Sequence, residues 1–539
     1  MPSASPFETH MPAPPTAAEQ YSYFTKHVRW PFVWLFVAQL GIIYGYVMVM
    51  RKSPDMWLGF VLLTFMVPPV FVNLWLRVRR PRSSLRDHQT LVAAWRRDTA
   101  ALPSVDVFIP VCGEDDEVLH NTFTHVRRLS YEGRLSVYVL DDADLLRTRL
   151  VAEAHGFHYV VRSNRGEWKK AGNLIHAFDN TDSEFVVVFD ADFSPRADFL
   201  YETLPYMQDP RIGVVQTAQY FDARGVNDMS RYAGALQELF FRWIQPARDT
   251  YEAAIVAGTN LVYRREAVVA AGGFAQVPLG EDVHSGVKLW VANYRTRYVP
   301  LVLAKGLAPD NWEALTNQQY RWCRSSMLLM ISRFFSDAPF SLKQRLCFWA
   351  AFLYYMASAA LVMTSVLPTL AMIWFFPDQV HWWNYLPMVP AFVSTFVVFP
   401  RLAKGWDMRI YRVCMVNSFC HLLAVVDALR DKIAAWVPTG AARVSPKKGM
   451  STPRKVALMA RTWFAATSVL LWAGIGRAVL NGYPWTYFPA IALGLIQAYM
   501  LAPFLYSLDL PRVRDVVVTL PEQRRVIDLT HATIREPQS

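Results

Sequence analysis

At 539 residues, with 53% hydrophobic side chains, 19 tryptophans and a mean hydropathy of +0.15, the chain is too apolar for an ordinary soluble enzyme. Its net charge of +11 is accounted for by Lys and Arg on faces beside anionic lipid, so a nucleic-acid partner is not expected. Five cysteines without a CxxC spacing point to free thiols, neither disulfides nor zinc ligands.

Residues 1–27, with repeated Pro, Ala, Ser and Thr, lack a signal-peptide pattern and read as a disordered tail. Residues 31–50 and 57–76 carry no charge, and each is long enough to cross a ~30 Å hydrocarbon layer as a helix. They read as a transmembrane hairpin over 28–76, with Pro68 and Pro69 kinking its second arm. Arg77, Arg79, Arg80, Arg82 and Arg86 follow and outnumber Arg51 and Lys52 in the opposite loop, which places the next segment in the cytosol. From 87 to 340 no uncharged run is long enough to span, and this stretch reads as the soluble domain.

Within that domain, Val105 to Pro110 (VDVFIP) predicts a strand, and the residues after it open an amphipathic helix. Residues 136–140 (SVYVL) predict a second strand ending in Asp141 and Asp142, and a third near His158 to Val161 leads to a helix beginning near Ala171. Strand, helix, strand with acids at the strand end is how a parallel nucleotide-binding sheet begins. The GxGxxG dinucleotide fingerprint is missing. Asp141 or Asp142 can accept hydrogen bonds from a base or ribose, the alternative being a solvated turn. Lys170, just before a helix, can place its ammonium on a diphosphate, with the helix N-terminus adding partial positive charge; a plain surface lysine is the alternative.

The stretch Phe185 to Phe193 (FVVVFDADF) has no alternation of polarity, which predicts a strand buried on both faces. It breaks into Asp190 and Asp192 at the strand end, where ligands of open α/β sheets bind. Two hard oxygen donors there suit a hydrated divalent cation on a diphosphate. Val214 to Gln219 (VVQTAQ) predicts another strand, and Ala253 to Val262 (AAIVAGTNLV) a further one with a close backbone approach at Gly258. Glu281 and Asp282 precede a helix whose Val283, Val287, Trp290 and Val291 recur at helical spacing; a carboxylate here is either a general base or a helix-start acid. Gln318, Arg321 and Trp322 share one helical turn, so an amide, a guanidinium and an indole can face one cleft, as a sugar and a diphosphate require. Apolar runs return at 347–376, 384–400, 463–480 and 485–508, read as four more spans within 341–508, with the polar stretch 401–461 and the tail 509–539 in the cytosol.

In this order the motifs resemble those of the processive family 2 glycosyltransferases, most closely the bacterial cellulose synthases and their β-glucan relatives. The likeness runs over residues 30–508 and is carried by the strand-end acids, Asp190-Ala191-Asp192, Glu281-Asp282 and QxxRW at Gln318 to Trp322. DVFIP with Glu114, KAGN at Lys170 to Asn173, VVQTAQ, FFRWIQPARD and RVSPK at Arg443 to Lys447 extend it. What the resemblance implies is an α/β GT-A domain over 87–340 inserted between two plus four transmembrane helices, with a gating loop over 437–450 that includes Lys447. It implies that Glu114 and Asp141 or Asp142 recognise uridine, Lys170 the diphosphate, and that Asp190 and Asp192 hold Mg²⁺ or Mn²⁺. Asp282, beside Glu281, is the implied base on the acceptor hydroxyl. Gln318, Arg321 and Trp322 would hold the terminal sugar and donor phosphates, and Ala257-Gly258-Thr259 would line the acceptor side.

The implied activity is inverting, processive transfer of glucose from a UDP-glucose donor to a growing polysaccharide acceptor. The product would be a β-glucan of β-1,4, β-1,3 or mixed linkage, exported through the lipid bilayer of a bacterial inner membrane to periplasmic export partners. The alternatives are a synthase of a hyaluronan-, chitin- or mannan-like polymer, and a non-processive transferase acting on a lipid carrier. Three departures lie near the acceptor or the closing loop, where linkage is decided. Gly280-Glu281-Asp282 stands where the family has TED, Ile255 to Thr259 where it has FFCGS, and Ala442 and Ser445 where cellulose synthases carry Phe and Thr. The tail 509–539 is too short for the cyclic-di-GMP-binding barrel that many members carry, so control by that nucleotide is not expected.

Overall fold

The computed structural model describes residues 11–25, 28–52, 67–76, 81–97, 102–222, 227–364, 366–430, 450–483 and 485–506. Much of the expected second span (57–66), Arg77, Arg79 and Arg80, the loop with Ala442, Ser445 and Lys447, and the tail after 506 lie outside the described residues.

Apolar runs become strands that feed two cores, one on each face of a sheet. Val105–Val111 (β1), Leu135–Asp141 (β2), His158–Val160 (β3) and Phe185–Val188 (β4) lie parallel in the order β3-β2-β1-β4. All four residues of β4 are buried; Phe185 and Val187 enter one cluster with Val105 and Val107, while Val186 and Val188 enter the other with Phe108 and Leu140. That division is the two-residue period of a strand covered on both sides. Phe193–Pro195 (β5), Ile212–Gln216 (β6), Tyr220–Asp222 (β7), Leu261–Arg264 (β8), Arg295–Tyr298 (β9) and Ala304–Leu307 (β10) complete two sheets. The large one continues β4-β8-β6-β9, and β5, β10 and β7 form the small one. Because β8 runs antiparallel to both β4 and β6, the sheet of this α/β domain is mixed.

Residues 253–262 do not form the single strand expected from their composition; regular pairing begins only at Leu261. Gly258 (φ +79°) and Asn260 (φ +57°) turn the backbone away from the sheet, and side chains satisfy it instead. Gln245 bonds both the N–H and the C=O of Ile255, and Gln216 and Gln219 hold Ala257.

Among the described residues four helices are long and apolar enough to cross a membrane: Trp30–Met48, Trp382–Leu402, Met408–Leu429 and Thr452–Leu480, with Val67–Leu76 and Phe488–Phe504 as shorter apolar helices. The expected span 347–376 is two helices, Leu342–Thr364 and Leu367–Phe375, the second opening with Pro368, which cannot donate to the turn before it. Met408–Leu429 falls inside the stretch expected to be a polar connection. Its Ile410, Met415, Phe419, Cys420 and Ala424 are buried, and it packs along the helix Trp312–Ile331, where Tyr320 Oη donates to Asp427 Oδ2 at 2.9 Å. Residues 11–25, expected within a disordered tail, instead lie folded against the α/β domain. Their short helix Ala17–Gln20 is closed by a Thr16/Glu19 capping box.

Candidate active site

The end of β4 places Asp190 and Asp192 at the seam between the two sheets, in the four residues Phe189 to Asp192 that connect β4 to β5. Lys170 opens the helix Lys170–Asp179 and points at that seam: its Nζ donates to Asp190 Oδ1 and, at 2.8 Å, to Gly258 O, and lies 3.9 Å from Glu281 Oε1. Thr259 Oγ1 accepts the Asp190 N–H at 2.9 Å. One ammonium and one hydroxyl thus join the strand end, the Ala257 to Thr259 segment and the start of the helix Glu281–Val291.

Close backbone approach fixes the side of the cleft formed by Ala257 to Thr259 and Gly280 to Asp282. A Cβ at Gly258 would stand 2.9 Å from Asp282 Oδ2, and one at Gly280 (φ +68°) would stand 2.7 Å from Ser325 Oγ, so position 280 has no room for a threonine. The two glutamines of VVQTAQ hold this wall. Gln216 accepts the Ala257 N–H and donates to Thr259 O, both at 2.8 Å, while Gln219 Nε2 donates to Ala257 O. Gln318 is buried and its Oε1 has no hydrogen-bond partner, and Trp322 packs half-buried against the cluster that includes the membrane-side helices.

Charge in the cleft is out of balance. Burial, then repulsion from Asp190 and Glu114, pushes Asp192 up to about 8. Burial likewise raises Glu114 to about 7, with Asp141 and Asp190 adding to it against the Cys112 N–H bond, and burial followed by Glu281 raises Asp282 to about 7. Burial lowers Arg321 to about 10 against the pull of Asp190 and Glu281. Burial works against the Lys170 ammonium too, but Asp190 and Glu281 outweigh it and push its pKa up. Among the described residues five carboxyl groups therefore share the cleft with Lys170 and Arg321. Among the described residues no group of three or more His, Cys, Asp or Glu forms a closed metal cage. Two carboxylates with open positions fit a hard cation shared with a diphosphate and water.

Asp141 ends β2 and Asp142 follows it, two strands from β4 on the same edge of the sheet. Asp141 is buried and accepts from Ala143 N, Leu145 N and the Tyr159 hydroxyl at 2.8–2.9 Å, bracing the turn after β2. Asp142 pairs with Arg162, whose Nη2 lies 2.7 Å from Oδ1. Arg162, which the sequence reading missed, also donates to Asn173 Oδ1, Asn164 O and Lys169 O. It thereby holds Trp168 (φ +52°) and Lys169 (φ +53°) in left-handed conformations just before Lys170. The glycine of KAGN was the available signal, because a Cβ at Gly172 would stand 2.4 Å from Arg162 Nη1. Arg162→Met leaves Asp142 buried without its partner. The expected result is a loss of about 3–5 kcal/mol in denaturant unfolding, relieved in part by adding Asp142→Asn.

The family described as "Glycosyl transferase family group 2" matches residues 185–398. The putative cellulose synthase 2 of Komagataeibacter xylinus is 33% identical over 267 residues, 48% of this chain and 18% of that protein. The cellulose synthase catalytic subunit (UDP-forming) of Pseudomonas fluorescens (strain SBW25) is 33% identical over 264 residues, 47% of this chain and 35% of that protein. The match thus spans little more than a third of these curated relatives at most. Among solved structures, the mannosyltransferase PcManGT from Pyrobaculum calidifontis, in complex with GDP-Man and Mn²⁺, is 20% identical. It covers 67% of this chain and 99% of its own, with a TM-score of 0.45.

Proposed function

From the premise that the chain is a family 2 glycosyltransferase related to the bacterial cellulose synthase catalytic subunits, we propose that it polymerises glucose from UDP-glucose into a β-glucan and passes the product across its membrane. One observation carries this reading. The helix Trp312–Ile331 brings Arg321 into the field of Asp190 and Glu281, with Gln318 one turn before it, while Tyr320 and Cys323 seat the same helix on the apolar helix Met408–Leu429. Sugar transfer and the membrane bundle therefore share one rigid element.

In this reading the domain of residues 87–340 stands between two and four spans, with the gating loop 437–450 over the donor. Docking of residues 11–25 on the domain supports an even number of crossings between Trp30 and Leu85, since both ends of that stretch belong to one side. That side is the cytosol of a bacterial cell, with the bundle in the inner membrane.

Asp190 and Asp192 would hold Mg²⁺ or Mn²⁺, which when bound offsets charge on the diphosphate. Lys170 and Arg321 bind the diphosphate oxygens, and Glu114 orients the uridine beside the turn that Asp141 and Asp142 brace through Tyr159 and Arg162. Gln318 Oε1, unpartnered and buried, accepts a sugar hydroxyl, while Trp322 stacks on the terminal ring. Asp282 takes the acceptor proton as the acceptor oxygen bonds to the anomeric carbon and the bond to UDP breaks on the opposite face. By the family resemblance Lys447 would contact the donor.

The test is incubation of purified protein with labelled UDP-glucose, UDP-GlcNAc and GDP-mannose, followed by linkage-specific glucanases. High-mass product from UDP-glucose that glucanases degrade is expected. Turnover of another donor in its place would overturn the glucan assignment, and a product extractable into organic solvent would favour the lipid-carrier reading.

A further inference from the structure

Residues 11–25 make a chain of specific contacts across the domain. Pro12 O accepts from Asn121 Nδ2 at 3.1 Å and Pro15 O from Arg196 Nη1 at 2.6 Å. Glu19 Oε2 lies 2.8 Å from the ammonium of Lys305, a residue of β10 that is 1% exposed. Gln20 O accepts the Val302 N–H at 3.0 Å. Near the end of the segment Tyr23, 3% exposed, lies in a small cluster with Ala218, Phe241, Ala254, Tyr298 and Val302, and Ala257 packs on that cluster. Neither of the two clusters that flank the large sheet contains Tyr23.

Ala257 is the first residue of the wall against Asp282. Its neighbour Gly258 gives its carbonyl to Lys170 and has no space for a Cβ beside Asp282 Oδ2, and Thr259 bonds the Asp190 N–H. The wall is irregular backbone, with strand partners beginning only at Asn260, so its position depends on what packs behind it. Tyr23 is part of that backing. Trp30 opens the first membrane-crossing helix seven positions later, so the same segment links that helix to the wall.

We propose that residues 11–25 are a strap that sets the Ala257–Thr259 wall against Asp282, with Tyr23 as a positioning residue and the Glu19–Lys305 pair as its anchor. The proposal rests on the glycosyltransferase reading above for its effect on turnover. A displaced wall misaligns acceptor and base without touching the donor, and misplacement by about 1 Å costs up to roughly 100-fold in rate.

The experiment compares Tyr23→Ala, Tyr23→Phe and Glu19→Gln in the full chain, reading kcat, KM for UDP-glucose and hydrogen exchange of amides 253–260. Tyr23→Ala is expected to lower kcat by about tenfold or more with KM within about twofold, and to speed exchange across 253–260. Tyr23→Phe, which keeps the ring, restores both. Glu19→Gln, which leaves the aromatic cluster intact, shifts both in the same direction by less and keeps the inference testable should Tyr23→Ala not fold. Parental kcat and parental exchange in Tyr23→Ala, or an equal loss in Tyr23→Phe, would overturn the strap. If the parent protein transfers no sugar from any donor, the functional reading fails, yet faster exchange at 253–260 in Tyr23→Ala still upholds the strap and parental exchange still overturns it.

Discussion

Asp282→Asn is expected to lower the rate of sugar transfer by ~10²–10⁴-fold while UDP binding stays within a few-fold of the parent, measured as UDP release and as binding of labelled UDP. The carboxylate lies at the first turn of its helix, with Oδ1 on the Val283 N–H and Oδ2 turned to the Gly258 backbone, so the amide preserves the shape and removes the base. Its pKa also gives the reaction a pH signature. Burial and the neighbouring Glu281 raise the carboxyl to about 7, and only its ionised form can take a proton. The parent's kcat/KM should therefore fall about tenfold per pH unit on the acid side of neutrality, and the variant's residual rate should lose that limb. The same shift has a stability consequence. The folded state holds this proton longer than the unfolded chain, which penalises folding as pH rises from about 4 and reaches its full value above 7. Asn carries no such penalty, so the variant should be more stable than the parent at pH 8, by a margin that shrinks towards pH 4. An active variant with an unchanged acid limb would remove Asp282 from the chemistry.

Much of this arrangement can be read in the chain because it depends on local composition. FVVV followed by Asp-Ala-Asp marks a doubly covered strand and its end, and β4 and its carboxylates lie where that pattern puts them. Local composition fails where long-range partners decide. Ala253 to Asn260 is as apolar as a strand, yet its partners are side chains of Gln245, Gln216 and Lys170, which no window around Gly258 contains. Acids after β2 suggest open ligands, but a hydroxyl from Tyr159 and a guanidinium from Arg162 reach them from the far side of a helix. Pro and Ala near the N-terminus outweighed the YSYF aromatics that dock there. Scattered basic residues concealed the helix Met408–Leu429, whose buried Asn417, Cys420, Ala424 and Ala428 recur at helical spacing on one face and whose run Met415–His421 is buried all round.

Removal of divalent cations is expected to abolish turnover, by about 10³-fold or more, because among the described residues the cleft presents five carboxyl groups to Lys170 and Arg321 before a diphosphate adds further negative charge. Without added positive charge, the Asp192 carboxyl held near 8 by burial, Asp190 and Glu114 is largely protonated at neutral pH, a poor state in which to receive a nucleotide diphosphate. A bound cation reverses that preference, so its binding should release protons and strengthen as pH rises towards 8. Two measurements check this. Calorimetric titration of chelator-treated protein with Mn²⁺ and UDP, repeated in buffers of different ionisation enthalpy, should detect proton release. Thermal unfolding should shift upward only when both ligands are present, with about 2.7 kcal/mol of stabilisation at a hundredfold excess over Kd. Asp190→Asn should weaken Mn²⁺ binding and also leave Lys170 with one carboxylate fewer, lowering the stability of the metal-free protein. Asp192→Asn should weaken Mn²⁺ binding while raising metal-free stability above pH 8, since it removes a carboxyl whose ionisation the folded cleft resists. Opposite stability effects from two neighbouring aspartates, with a shared loss of metal binding, would separate the residue that Lys170 already neutralises from the one that depends on the cation. Full turnover in excess chelator would exclude both from metal binding.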